Sequence, residues 1–429
     1  MDQKAKNLDQ KAHAPWARRE FDTMTLMSFV NFNLRPELMK AIEALNFHEP
    51  TPIQKEAIPQ VLGGRDILAS AQTGTGKTLA FVLPTLQRML EKPTPGVTAL
   101  VLLPTRELAA QVASVVKEVG RFTSFRSVLL VGGESFHLQL QGLRGGASMA
   151  IATPGRLLDH MERRTITLSR VHTLVLDEAD RMLDMGFAPA LHRILQNVPK
   201  ERQTMLFSAT LPPQIGRLSH LALKDPMTIA IAAQGATADT VTQLLYPVMP
   251  NQKSDLLLAI LRNTSMQSVL IFSRTKRGAD RLARFLQAED LSVVAMHADL
   301  TQSQRNHAMQ GFKHGKVQIM VATDIAARGL DVKKLSHVIN YNVPEKTEDY
   351  VHRIGRTGRH FEVGDAYTLV SPEEERYIAA IERFIGRKIP RAQVPDFPYE
   401  RLPPPPKPKT LMERFGRRRR FIPRGRFGR

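Results

Sequence analysis

Apolar residues in this chain gather in short runs separated by amphipathic stretches. A first series lies at residues 66–69, 99–103, 127–131, 149–152, 173–176 and 204–207. Each run is too short for a helix and has apolar neighbours in succession, which predicts strands of a parallel sheet covered on both faces. A second series follows at 268–272, 291–296, 319–322, 337–340 and 366–370. Ahead of both, Leu38, Ile42 and Leu45 form a helical stripe over 36–45. Pro50 and Pro52 then impose an extended segment before a helix at about 54–62. Strands alternating with helices predict an α/β protein with two parallel-sheet domains in tandem.

The boundaries follow from composition. Residues 1–25 are polar, hold the single tryptophan (Trp16) and show no period, so they are expected to be a mobile extension to a first domain at 26–231. Small and polar residues over 232–241 read as a linker to a second domain at 242–390. Residues 391–429 read as a Pro/Arg-rich tail, expected to be disordered. From 401 onward the tail carries eleven Lys and Arg against one acid, Glu413, with Phe415, Phe421 and Phe427 between the arginines.

Charge narrows the choice of partner. The net charge is +19 over 429 residues, and the tail supplies more than half of it. Such a balance calls for a polyanion, and arginines interleaved with aromatics suit phosphate contact plus base stacking. Cysteine is absent, so disulfides and thiolate metal sites are excluded. No apolar run has the length of a signal peptide or a membrane span. A cytoplasmic protein without a membrane partner is expected.

Two stretches carry chemistry. In Ala71-Gln72-Thr73-Gly74-Thr75-Gly76-Lys77-Thr78, a strand runs into a glycine-bearing loop and then a helix start. Small residues let backbone N–H groups approach a polyphosphate, Lys77 would reach the β/γ-phosphates, and the Thr78 hydroxyl would sit on Mg²⁺. Ala71 replaces the first glycine of the general phosphate-loop pattern. About a hundred residues on, the strand at 173–176 delivers Asp177 and Glu178 at its C-terminal end. The first carboxylate would hold Mg²⁺ directly or through water, and the second would polarise the attacking water. Gln54 has two readings: an N-terminal cap partner, or a bidentate amide for adenine with Phe47 as a stacking face. No second Gly-Lys-Thr loop occurs, so the second domain must contribute something else. Arg356 and Arg359, three residues apart, could supply charge to the γ-phosphate as arginine fingers, or instead meet nucleic-acid phosphate or simply carry surface charge.

With Asp177-Glu178-Ala179-Asp180 in place, the sequence resembles the DEAD-box RNA helicases of superfamily 2, across roughly residues 29–360. The resemblance implies two RecA-like domains and an adenine-recognising motif at Phe47–Gln54 with Phe29 as its upstream aromatic. It also accounts for Ala71, since the family's phosphate loop begins with alanine. It implies RNA-backbone contacts at Pro104-Thr105-Arg106, Gly132-Gly133 and Thr153-Pro154-Gly155-Arg156. Phe272 begins the likeness in the second half, followed by RNA contacts at Gln302 and Arg305. Thr323 and Asp324 would touch RNA, and Asp331 the nucleotide ribose. Asp180, Ser208, Thr210 and His352 would couple nucleotide state to domain closure, with Arg356 and Arg359 in the arginine-finger motif. Asn46 and Ala298 stand where the family usually has glycine. A short basic tail directly after the second domain most resembles the bacterial RhlE-type subgroup.

These features give an ATP-dependent, Mg²⁺-using RNA helicase that separates short duplexes locally and remodels ribonucleoprotein, with a tail that adds non-specific RNA affinity. The alternative is an ATP-gated RNA clamp or ribosome-assembly factor using the same residues. Asp180 and the Phe47–Gln54 motif argue against a DNA-translocating relative, and a transporter ATPase would need a Leu-Ser-Gly-Gly-Gln-like signature that the chain lacks.

Overall fold

The computed structural model describes residues 28–71, 75–231, 241–327, 335–357 and 364–400. They fall into two compact units, one ending at residue 231 and the other beginning at 241. The expected extension, the linker residues 232–240 and the tail from 401 lie outside the described residues.

The first unit is built on a sheet of seven strands: β1 (Ile67–Ser70), β2 (Ala99–Leu102), β3 (Ser127–Leu130), β4 (Met149–Ala152), β5 (Thr173–Leu176), β6 (Gln203–Ser208) and β7 (Met227–Ala230). All pairings are parallel, in the order β3-β4-β2-β5-β6-β1-β7. β2, β4, β5 and β6 are buried along their whole length, which is why they read as unbroken apolar runs. Two cores result, one around Phe81, Phe207 and Ile53, the other around Leu176, Leu191 and Ile194.

The second unit has six parallel strands: β8 (Val241–Pro247), β9 (Val269–Phe272), β10 (Val293–Met296), β11 (Ile319–Ala322), β12 (His337–Asn340) and β13 (Gly364–Val370). Their order is β10-β11-β9-β12-β13-β8. Tyr350, Leu245 and Ile378 sit in one of its cores, Ile271 and Leu286 in another.

Eleven of these strands overlap the runs read from the sequence; β7 and β8 do not. Both are edge strands with exposed positions, so polar residues interrupt the apolar signal. Val241, assigned to the linker, is the first residue of β8. The tail also starts later than expected. Residues 391–400 pack on the second unit, with Leu245 N donating to Pro390 O at 2.9 Å and Ala392 N to Leu245 O at 2.8 Å. Val394 is buried in the core of Ile271 and Leu286, with Phe397 and Tyr399 packed against it. Three apolar side chains within ten residues suffice to hold this segment, and the proline count of the following stretch masked them.

Topology places the motifs. In parallel sheets, loops leaving the C-terminal strand ends line the functional edge. Along that edge of the first unit, the loops after β3, β4 and β2 carry Gly132-Gly133, Thr153–Arg156 and Pro104–Arg106. The loops after β5, β6 and β1 carry Asp177–Asp180, Ser208–Thr210 and the phosphate loop. The residues read as RNA contacts and those read as nucleotide contacts therefore occupy adjoining halves of one sheet edge.

Candidate functional site

The helix Lys77–Glu91 follows β1 directly, and Gly76 precedes it at φ 94°. That backbone suits glycine, and a Cβ there would come within 2.5 Å of Gln54 Nε2. Ala71, the last described residue before the loop, is tied to the neighbouring strand: its N–H donates to Ser208 O at 3.0 Å. Lys77 is 5% exposed and turns back across the loop, donating to Ala71 O at 3.1 Å and Glu178 Oε1 at 3.2 Å. Asp177 Oδ1 is 4.0 Å away. Gln72, Thr73 and Gly74 lie outside the described residues; Thr75 and Thr78 are half-buried at the helix start.

Glu178 stands at φ 55° and ψ 47°, a left-handed turn between β5 and the short helix Ala179–Asp184. Such a backbone is uncommon for a residue with a side chain. It swings the carboxylate under Lys77 while Glu178 N donates to Asp177 Oδ1 at 2.9 Å. On the other side, Arg181 Nη1 lies 3.1 Å from Glu178 Oε2. Two carboxylates and two cations thus form a buried cluster of formal charge zero. Burial pushes the Asp177 carboxyl up to about 6, against the pull of Lys77. Burial alone would lower the Lys77 ammonium, but Glu178 and Asp177 outweigh it and raise it above its usual value.

Asp180 links this cluster to the next loop. Its Oδ2 accepts from Ala209 N at 3.1 Å, Thr210 N at 3.0 Å and Thr210 Oγ1 at 3.0 Å. Ser208 Oγ donates to Thr210 O at 2.6 Å. The three residues read as coupling elements in the first unit are joined by direct bonds.

Both readings of Gln54 bear on its position. Its Oε1 accepts from Thr51 N at 3.0 Å, which caps the helix Pro52–Leu62. Its Nε2 donates to Gly76 O at 2.9 Å. The amide is engaged at both ends, with one end on the phosphate loop. Phe47 is exposed, as a stacking face requires. Phe29 is 2% exposed and packs edge-on against Phe32.

At the other half of the edge, the Arg106 guanidinium lies over Gly132 and Gly133, where a Cβ on Gly133 would fall 2.0 Å from Nη1. Gly133 has φ 76°, so close approach and backbone both demand glycine. Thr105 caps the helix Arg106–Val119 through Leu108 N at 3.3 Å, beside buried Pro104. Thr153 is buried, Gly155 is exposed, and Arg156 Nη1 donates to Glu134 O at 3.3 Å.

In the second unit, Arg353 grips Asp324 with Nε and Nη2 at 2.6 and 2.7 Å. It also donates to Asn340 Oδ1 and Asn342 O. The Asp324 carboxylate is thereby engaged inside its own unit, which the sequence did not foretell. Thr323 N donates to Met296 O at 3.2 Å, and Arg305 Nη1 reaches His297 O. Gln302 Nε2 donates to Asn306 Oδ1. Arg356 is buried and His352 half-buried, the histidine in the helix Thr347–Ile354 and the arginine on the turn that ends it. Asp331 and Arg359 lie outside the described residues. Sequence reading assigned Arg181 no role and placed Arg353 only within the arginine-finger motif; the spacing of Arg181 one helical turn from Glu178 was the available signal.

A lysine on a glycine loop, facing a strand-end Asp-Glu pair on a parallel sheet, defines a P-loop nucleotide hydrolase. Residues 51–218 match the DEAD/DEAH box helicase family and residues 252–361 the helicase conserved C-terminal domain. A DEAD-box ATP-dependent RNA helicase, CshA of Bacillus subtilis, is 42% identical over 86% of this chain and 74% of its own length. The ATP-dependent RNA helicase DeaD of Mycobacterium tuberculosis is 44% identical over 86% of this chain, which spans 65% of that protein. A structure of Dbp5 from S. cerevisiae bound to RNA and ADP BeF3 superimposes with a TM-score of 0.77 at 33% identity, over 86% of this chain and 96% of that one. The chain belongs to the DEAD-box family and is an ATP-dependent RNA helicase with two RecA-like domains. Among the described residues, no helix is long and apolar enough to cross a membrane.

Proposed function

We propose that this chain binds RNA through backbone contacts and couples ATP hydrolysis to local separation of short duplexes in the cytoplasm. The observation that carries this reading is the neutral Lys77–Asp177–Glu178–Arg181 cluster beside the Asp180–Thr210 bonds. Arriving phosphates would draw Lys77 from Glu178, leaving that carboxylate to accept the proton of the attacking water. The hard oxygen donors of Asp177 and Thr78 fit Mg²⁺, which would neutralise phosphate charge when bound. Gln54 would release Gly76 O to read adenine, so that nucleotide identity and loop shape are sensed by one amide. Asp180 would carry the change to Ser208 and Thr210. Arg356 and Arg359 supply the further positive charge that the γ-phosphate needs.

Contacts to RNA run through Arg106, Gly133, Thr153, Gly155 and Arg156, and through Gln302, Arg305 and Thr323 in the second unit. They are phosphate and sugar contacts, so affinity falls steeply with salt. The basic tail adds to them without base specificity, and it is also the feature that supports an RhlE-like placement. The test is ATPase activity with no nucleic acid, with RNA and with single-stranded DNA, each at two salt concentrations. RNA-selective, salt-sensitive stimulation supports the reading; equal stimulation by DNA overturns it. Removing residues 401–429 should weaken RNA affinity and flatten its salt dependence while leaving turnover at saturating RNA intact.

A further inference from the structure

Arg181 has no part in the chemistry derived so far, yet it is the second cation of the cluster. Its side chain is 3% exposed, and its Nε, Nη1 and Nη2 make no hydrogen bond to any described residue. A guanidinium carries five donors, and burying them unmatched is costly unless a charge compensates. The compensating charge is Glu178, at 3.1 Å from Nη1, within ion-pair distance though out of hydrogen-bond alignment. The two oxygens of Glu178 are divided between two cations: Oε1 faces Lys77 at 3.2 Å and Oε2 faces Arg181.

This division matters once nucleotide arrives. Taking Lys77 as a phosphate ligand, as proposed above, its ammonium leaves Glu178. The carboxylate, 2% exposed, would then stand beside Asp177 and the incoming phosphates, with the Arg181 guanidinium still at ion-pair distance. Glu178 itself occupies a left-handed turn, and its own N–H is committed to Asp177. Arg181 is held by the helix Ala179–Asp184, whose Ala179 and Met182 are buried in the core, so its guanidinium has a fixed base.

We propose that Arg181 is a positioning residue for hydrolysis: it holds the Glu178 carboxylate towards the attacking water after Lys77 has moved to phosphate. It touches neither nucleotide nor RNA and acts through Glu178 alone. A cation that served only to fill the core would alter stability and the fraction of active molecules, with kcat per folded molecule unchanged.

The experiment is a double-mutant cycle in the full chain at saturating RNA: Arg181→Met, Glu178→Gln, the pair together, and Arg181→Lys. Steady-state kcat and KM for ATP, single-turnover hydrolysis of labelled ATP and thermal melts are measured on each. Arg181→Met should lower kcat by about 10- to 100-fold with KM for ATP within about twofold, the pattern of a lost interaction specific to the transition state. Arg181→Lys, which keeps the charge, should recover part of that loss. In the Glu178→Gln background, Arg181→Met should cost nothing further, because both changes remove one function.

A kcat for Arg181→Met close to the parent, or losses that multiply in the double variant, overturns the proposal. If Arg181→Met gives no cooperative melt, Arg181→Lys decides: lowered kcat at unchanged KM supports positioning, and parental kcat per folded molecule refutes it. The reading of the site fails separately, through full RNA-stimulated turnover in Glu178→Gln itself.

Discussion

The two units share a parallel-sheet plan and bury charge at the same end of it, but they satisfy that charge differently. In the first, Lys77 and Arg181 face Asp177 and Glu178, so the charges answer mainly one another. In the second, Lys253 donates to Tyr341 O at 3.0 Å and Leu369 O at 3.1 Å as well as to the Glu374 carboxylate. Arg353 likewise adds Asn340 and Asn342 to its pair with Asp324. A cation tied to two neutral acceptors besides its carboxylate is held more firmly than Lys77, because moving it would orphan both. Lys77 has Ala71 O alone of that kind among the described residues. Charges that answer one another can exchange partners when a polyanion enters. The first arrangement suits a reacting site and the second a scaffold.

The comparison can be broken in order of effect. Glu178→Gln should lower RNA-stimulated turnover by about 10²- to 10⁴-fold, as for loss of a general base. ATP and RNA binding should persist in that variant, and equilibrium binding with a labelled nucleotide checks it. Lys77→Ala, by contrast, should lose nucleotide affinity first. Glu374→Gln should leave nucleotide binding unchanged and destabilise the second unit by about 3–5 kcal/mol, since it strands a buried ammonium. Denaturant melts measure this, and an unaltered melt would mean that the scaffold pair carries no weight.

The same pair sets a pH dependence. Burial pushes the Glu374 carboxyl up, but Lys253 and the Ser371 bonds outweigh it and hold it below 4.5. A depressed carboxyl contributes stability above its unfolded pKa and loses it as pH falls through the folded value. The gap between parent and Glu374→Gln should therefore narrow below pH 4.5. The smallest effect is expected at Gln54. Gln54→Ala removes the cap on Thr51 N and the hold on Gly76 O, costing about 1 kcal/mol of first-unit stability. It should also narrow the preference for ATP over GTP in a competition assay.

Fold and chemistry were legible to different depths. Buried strands announce themselves because both faces are apolar, so Thr173–Leu176 and Ile319–Ala322 could be bounded to the residue. β7 and β8, edge strands whose apolar residues are broken by exposed Thr228 and Thr242, could not. The phosphate loop and the Asp-Glu pair were visible because their chemistry fixes residue type. What no spacing could reveal was partnership: that Gln54 closes on Gly76 O, that Phe29 is interior, or that Arg353 claims Asp324. These depend on which segments the strand order brings together, and a linear pattern is silent on that.

The segment at 389–392 has a practical consequence. It lies along β8, the outermost strand of its sheet, with Pro390 and Ala392 exchanging bonds with Leu245. An outer strand left bare offers its free N–H and C=O groups to any passing chain. Ending the protein at residue 390, where composition alone would cut it, strips Ala392 and the Val394 anchor from that edge. The shortened product should be prone to edge-to-edge aggregation, whereas one ending after Glu400 should stay monodisperse.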